Sequence, residues 1–181
     1  MRHAPPADAG DLRHILGVAL VCAAAAILRG RPAEAVSALQ EVGDPQRFAE
    51  RDGAVELLPR LVRTAIAAGC EGTVTGLRDI AALPTPLRSH IAATVDGLIE
   101  EICGRPAAAA ERLDAAASGW EALGFPVEAA LTRADLARNL SAVGDPTANS
   151  ATAHATSLCR DLGIVPLLTM NDERFGAGWT A

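Results

Sequence analysis

The chain has 181 residues, a formal net charge of −6 and only 3% aromatic residues, so it is long enough for one domain or a short repeat array with its own core. All 16 basic residues are Arg, and they are scattered along an acidic chain, which argues against a broad nucleic-acid-binding surface. The Ala-rich composition, without runs of Val, Ile, Thr and Tyr, favours an all-α fold.

The N-terminal region combines a loose segment, residues 1–10, with a first helix predicted over 12–29. Within this helix, residues 15–28 are all apolar or Gly. That run is too short for a comfortable membrane span, and the leader before it lacks the net positive charge of an export signal. We therefore expect a buried helix in a cytoplasmic protein. The alternative, an exported or membrane-anchored protein that uses residues 15–28 as its signal, stays open.

Glycine marks the ends of the next helices, because it readily adopts the left-handed conformation that closes a helix. Gly43 ends a helix predicted over 33–42, and Gly69 ends one predicted over 55–68. The second of these helices has a one-sided apolar stripe, formed by Leu58, Leu61, Val62, Ala65 and Ile66. A shorter helix is predicted over 72–82.

Three Gly-x-Pro tripeptides recur at a spacing of 20 residues in the C-terminal half, beginning at Gly104, Gly124 and Gly144. Gly ends one helix and Pro begins the next. The predicted helices have similar lengths and cover 87–103, 107–123, 127–143 and 147–162. Because such helices joined by tight turns form antiparallel pairs, we expect a short tetratricopeptide-like (TPR-like) α-solenoid over residues 11–168. A flexible C-terminal tail, residues 169–181, follows it.

No residue pattern in the chain points to catalysis, a cofactor or a metal. The cysteines lack the spacing of a metal site or a redox motif. We expect them to serve as small hydrophobic packing residues; they are Cys22, Cys70, Cys103 and Cys159. The adjacent carboxylates Glu100 and Glu101 point about 100° apart on a helix, which indicates a solvated surface rather than an acid–base pair.

A groove lined by the first helix of each pair, 87–103 and 127–143, is the predicted binding surface. Arg88, Asp135 and Arg138 are its candidate contacts, chosen from their helix positions. Asp135 and Arg138 stand three residues apart, and this spacing also fits an ordinary surface ion pair.

The few aromatic residues have two different settings. Trp120 stands among Ala residues on a helix and is predicted to anchor the core. Phe175 and Trp179 lie in the tail, where they either fold back over the last helix or dock on another chain.

The helix-end motifs between Leu58 and Leu168 resemble a known arrangement. The matching segments run from Leu58 to Gly69, from Gly104 to Pro126, from Pro126 to Asp145 and from Leu162 to Leu168. They look like the TPR-like region of large ATP-binding LuxR-type regulators, and of related nucleotide-cyclase-like proteins, of actinobacteria. The resemblance implies a regulatory solenoid that senses a protein or a ligand. Leu131 stands where the family usually has Arg, and the chain lacks the Gly-x-x-x-x-Gly-Lys-Ser/Thr loop of its ATPase part.

Together these patterns predict a non-catalytic module that binds a protein partner or a small effector. No cofactor, no direct contact with nucleic acid and no membrane contact are expected, and a homo-oligomer is left open. The alternative is a helical enzyme with a site that no known motif encodes. The absence of clustered polar residues on the predicted helix faces argues against it.

Overall fold

The computed structural model describes residues 9–43, 52–74, 77 and 85–164, and all regular structure in these ranges is helical. The chain divides into two compact units, Met1–Leu77 and Arg78–Ala181. In each unit neighbouring helices pack against one another, which confirms the predicted all-α helical repeat fold.

The first unit is built around a long N-terminal helix. Helix α1 (Ala9–Leu28) packs against α2 (Pro32–Gln40), α3 (Asp52–Val55) and α4 (Leu58–Ala68), and a 3₁₀ turn, Glu71–Thr73, follows α4. Helices α1, α2 and α4 lie close to their predicted positions, whereas α3 does not correspond to a predicted helix. The helix predicted over 72–82 is wrong at its start, where the structure has the 3₁₀ turn; most of its remainder lies outside the described residues.

Both faces of helix α1 are largely apolar in sequence, but only one of them is buried. One face of it is buried, with Leu12, Leu16, Ala23 and Ala26 in the core. The opposite face is exposed at Val18, Val21 and Leu28, so the expectation of a wholly buried helix is wrong. No helix in the described ranges combines the length and apolar character that a membrane crossing requires.

The second unit contains four consecutive helices. They are α5 (Pro86–Ile102), α6 (Pro106–Ala122), α7 (Pro126–Ala142) and α8 (Ala148–Asp161). Helix α5 packs on α6, α6 on α7 and α7 on α8. The first three have 17 residues each, as the spacing of the Gly-x-Pro tripeptides predicts.

The turns between these helices follow one scheme. Gly104, Gly124 and Gly144 adopt φ values of 71°, 73° and 69°, in the left-handed region that Gly favours. The next residue's N–H returns to a carbonyl five residues earlier, as in Arg105 N to Glu100 O at 2.9 Å. This bond pairs a carbonyl that the helix end leaves unsatisfied. Pro106 and Pro126 begin α6 and α7, so the predicted punctuation is confirmed at these two turns. After Gly144 the next helix begins at Ala148, two residues beyond Pro146, and there the prediction is wrong.

Trp120 anchors the contact between α5 and α6, which confirms its predicted place in the core. Its side chain is 2% exposed, and its indole N–H donates to Thr94 Oγ1 at 2.9 Å. The rings of His90 and Phe125 lie beside the indole, with centroids 6.1 and 5.6 Å away. A single large aromatic residue thus fills the space between α5 and the Ala-rich α6 and has its one polar atom satisfied.

The same two helices approach closely at Gly97. A Cβ atom built on Gly97 would lie 2.7 Å from Cγ and 2.9 Å from Cδ2 of Leu113, whose side chain is fully buried. Real Cβ atoms essentially never come so near, so the absence of a side chain at this position sets the spacing of α5 and α6.

We expect Gly97→Ala to destabilise the protein by about 1–3 kcal/mol, because the added methyl group must displace a buried leucine. Gly17→Ala is the matched control: Gly17 also lies inside a helix, but a Cβ there would meet nothing within 4 Å. That change should be neutral or stabilise by up to about 1 kcal/mol, since Ala is the better helix former. Urea unfolding followed by circular dichroism measures both, and equal effects of the two changes would contradict the close approach.

Candidate functional site

A charged network joins α5 to α7. The Arg138 guanidinium binds the Glu101 carboxylate through two bonds, Nε to Oε1 at 2.7 Å and Nη2 to Oε2 at 2.8 Å. Nη2 also donates to Asp135 Oδ1 at 2.9 Å. The Asn139 amide donates to Glu101 Oε2 at 2.8 Å. A bidentate Arg–carboxylate pair of this kind orients the two side chains relative to each other and also balances their charges.

The network lies largely away from water. Asp135 is fully buried, and the side chains of Arg138 and Glu101 keep only a small exposed fraction. Burial by itself would lower the pKa of Arg138, but the charges of Asp135 and Glu101 and their hydrogen bonds outweigh it, so the pKa is raised. The guanidinium therefore stays charged at any pH at which the protein is folded.

The polar face of α7 explains why the network forms there. Its buried polar residues recur at helical spacing and are Glu128, Thr132, Asp135 and Asn139. This spacing places them on one side of α7, where the C-terminal half of α5 supplies Glu101. The expectation that no helix face carries clustered polar residues is therefore wrong for α7. Every buried side-chain nitrogen and oxygen in the described residues has a hydrogen-bond partner.

Two expectations about these residues are wrong. The Asp135–Arg138 pair is buried rather than an ordinary surface pair. The adjacent carboxylates are not merely solvated either, since Arg105 binds Glu100 and Arg138 binds Glu101. The physical reason is that α7 lies against α5, so the end of α5 meets a helix that is distant in sequence.

The predicted site residues therefore differ in their surroundings. Asp135 and Arg138 come together with Glu101, and Arg88 is buried on α5. A partner could reach Asp135 only if the network opened. That Arg88, Asp135 and Arg138 line a binding groove between α5 and α7 therefore stays a prediction. Phe175 and Trp179 lie outside the described residues.

A second arginine of α7 binds α6. Arg133 donates to Asp114 Oδ1 at 2.7 Å, to Glu121 Oε1 at 3.0 Å and to Ser118 Oγ at 3.2 Å. The hydrogen bond from Arg133 lowers the pKa of Glu121, and the same pair raises the pKa of Arg133. One guanidinium thus serves two carboxylates of the neighbouring helix.

A cleft of about 400 Å³ opens where α6, α7 and α8 meet. Buried Leu136 and half-buried Leu140 of α7 lie at its base. Its other lining residues are Ala110, Glu111, Asp114, Thr147 and Ala151. Its volume lies within the range of small-molecule sites, and sequence analysis missed it because three helices build it.

The cleft carries negative charge at its rim. Glu111 is exposed and forms no ion pair with any residue that the structure describes. Asp114 shares Arg133 with Glu121, so the arginine cannot neutralise the rim completely. An apolar base beside unbalanced carboxylates suits a group that is both apolar and cationic.

The cysteines have three kinds of environment, and none of the four forms a disulfide. Cys159 is buried beside Ala130, Ala134 and Ala155, as expected of a packing residue. Cys22 and Cys103 are exposed, so for these two the expectation is wrong. Within the described part of the chain, no three His, Cys, Asp or Glu residues are grouped to hold a metal ion.

Comparison of the chain with protein-family models, with curated proteins and with solved structures finds no match. The resemblance to the TPR-like regions of LuxR-type regulators therefore stays a prediction.

We expect Arg138→Met to destabilise the protein by about 3–5 kcal/mol, because it leaves the carboxylates of Asp135 and Glu101 with a missing countercharge. Arg112→Met is the matched control. Arg112 pairs with Asp96 at 3.6 Å in a half-exposed setting, and its loss should cost at most about 0.5 kcal/mol. The urea midpoint measures both changes, and a small loss at Arg138 would contradict the buried network.

Glu121 should make stability depend on pH in acid. The pKa of Glu121 in the folded chain is lowered from its ordinary value of 4.5. The stability that the ionised carboxylate contributes is therefore fully present above pH 4.5, and it is lost as the pH falls through the lower pKa of the folded state. Glu121→Gln should therefore reduce the slope of thermal stability against pH below about 4.5. In an Arg133→Gln background the same change should no longer alter the slope; an equal effect in both backgrounds would disprove the coupling.

Proposed function

We propose that this chain is a non-catalytic binding module, in which a helical repeat fold presents a binding cleft to a protein segment or a small effector. The observation that carries the proposal is the cleft between α6, α7 and α8, which has an apolar base and an acidic rim. Helix α7, which forms the base, is held by arginine contacts to α5 and to α6. A preformed cleft lowers the entropy cost of binding.

The chemistry of the cleft selects the class of ligand. The apolar part of a ligand fits against Leu136 and Leu140, between the small side chains of Ala110 and Ala151. A guanidinium or ammonium group then lies near Glu111 and gains from its carboxylate. The proposed ligand is therefore a segment with Leu- and Arg-type side chains, or a small amphiphilic cation.

The proposal also includes a regulatory role and a cellular location for the module. A regulatory role, in which binding changes contacts with a larger protein, follows from the resemblance to actinobacterial regulators, and so does the TPR-like character of the solenoid. We also propose a cytoplasmic location. It is supported by the short apolar run of the sequence and by residues 1–14, whose two Arg and two Asp give no net positive charge.

Two fluorescein-labelled synthetic peptides test the cleft with the full chain. One carries alternating Leu and Arg, and the other has Glu in place of Arg. The Arg peptide should bind at least about tenfold more tightly, and 0.5 M salt should weaken it. Ala151→Trp, which fills the cleft, and Glu111→Arg, which reverses its charge, should each weaken binding about tenfold or more.

Ala153→Trp is the matched control, because Ala153 is an exposed residue of α8 that does not line the cleft. It should leave the affinity unchanged. Equal affinities for the two peptides, or an Ala151→Trp variant that binds normally while keeping its helical circular dichroism, would rule out the cleft as the binding site.

A further inference from the structure

The exposed face of α1 is an apolar surface that no helix of the described ranges covers. We define the α1 outer face as His14, Gly17, Val18, Val21, Ala25 and Leu28. Val18, Val21 and Leu28 are 48%, 70% and 55% exposed. Large apolar side chains are rarely so exposed in a continuous row, and such rows mark interaction sites.

The geometry of this face suits another helix. From His14 to Leu28 its members recur at three- and four-residue intervals, which forms a straight stripe of about 21 Å along α1. A Cβ built on Gly17 would meet nothing within 4 Å. A shallow apolar depression beside Gly17 is lined by Val18, Val21 and Cys22 among others. A partner helix can therefore approach the backbone of α1 closely at this point.

An arginine stands at each end of the face, and the one at the N-terminal end has a carboxylate beside it. Arg13 is the only charged residue within 12–28; it is more than half exposed and lies 3.6 Å from Glu56. Arg29 follows the helix, is exposed, and forms no ion pair with any described residue. An apolar stripe between two arginines complements an apolar stripe between acidic residues.

The same charges disfavour a second copy of the chain as the occupant. Antiparallel pairing of two α1 helices places Arg13 of one beside Arg29 of the other, and parallel pairing places each arginine beside its equivalent. Parallel pairing sets like charges together at the ends of the apolar stripe, which costs binding energy. Antiparallel pairing brings each Arg29 to an arginine that already has Glu56 beside it, so Arg29 gains no unpaired carboxylate.

We infer that the α1 outer face is a docking surface for a helix of another protein, whose apolar stripe has acidic residues at both ends. The apolar stripe of the partner packs on Val18, Val21 and Leu28, and its carboxylates lie near Arg13 and Arg29. The inference is independent of the proposed function, because the cleft belongs to the second unit of the chain.

The test uses two synthetic 20-residue amphipathic helical peptides and the full chain. Both have the same Leu and Ala stripe; one has Glu at each end and the other has Lys. Fluorescence anisotropy should show at least about tenfold tighter binding of the Glu peptide. Val21→Glu should weaken it about tenfold or more, and Arg29→Glu, which leaves Arg13 in place, should remove most of the preference for the Glu peptide. Gln40→Glu, an exposed change on α2, is the control and should have no effect.

Thiol modification locates the bound peptide. Cys22 is exposed beside the α1 outer face, whereas Cys103 is exposed in the second unit. The Glu peptide should slow maleimide modification of Cys22 several-fold, measured by mass spectrometry of peptide fragments. The rate at Cys103 in the same sample should not change, which controls for non-specific protection.

Several outcomes would overturn the inference. Equal binding of the two peptides, or no binding of either at about 1 mM, would exclude charge-selected docking. A dimer in light scattering that Val21→Glu dissociates would assign the face to a second copy. Binding to anionic phosphatidylserine vesicles that Val21→Glu abolishes, with no peptide binding, would assign it to a lipid surface.

Discussion

The fold of the second unit depends on the way in which each helix ends. A Gly in the left-handed conformation turns the chain, a backbone bond such as Arg105 N to Glu100 O satisfies the last carbonyls, and Pro fixes the first turn of the next helix. Neither residue is replaceable by an ordinary one without strain or loss of preorganisation. Helices α5, α6 and α7 are therefore equal in length because the turns recur, and their core positions face one another because the lengths are equal.

Helix α7 holds this unit together through two arginines. Arg133 and Arg138 are five positions apart, which directs them about 140° apart around the helix axis. Arg133 binds carboxylates of α6, and Arg138 binds Glu101 of α5. The small apolar side chains of an Ala-rich core make few large contacts, so charged pairs at its borders add orientation that such a core lacks.

The sequence was a good guide to the helices of the second unit and a poor guide to which polar residues are buried. Gly104 and Pro106 act locally, and so the ends of α5 and α6 could be predicted to within about two residues. Glu101 and Arg138 are 37 residues apart, and nothing in the local pattern of either helix indicates their contact. For α1, an apolar run predicts burial, but in the described part of the chain α2, α3 and α4 cover one of its faces and leave the other exposed. The cleft between α6, α7 and α8 could not be predicted, because its shape comes from three helices at once.

The 20-residue spacing of the turns also restricts how such a chain can change in length. Each helix reverses the direction of the one before it, so the deletion of a single helix with its turn would invert every helix that follows. Faces that pointed inward would then point outward, and Arg138 would face away from Glu101. The deletion or duplication of two consecutive helices, about 40 residues, preserves both direction and facing. An array of this kind therefore gains and loses helices in pairs, and the number of its helices keeps the same parity.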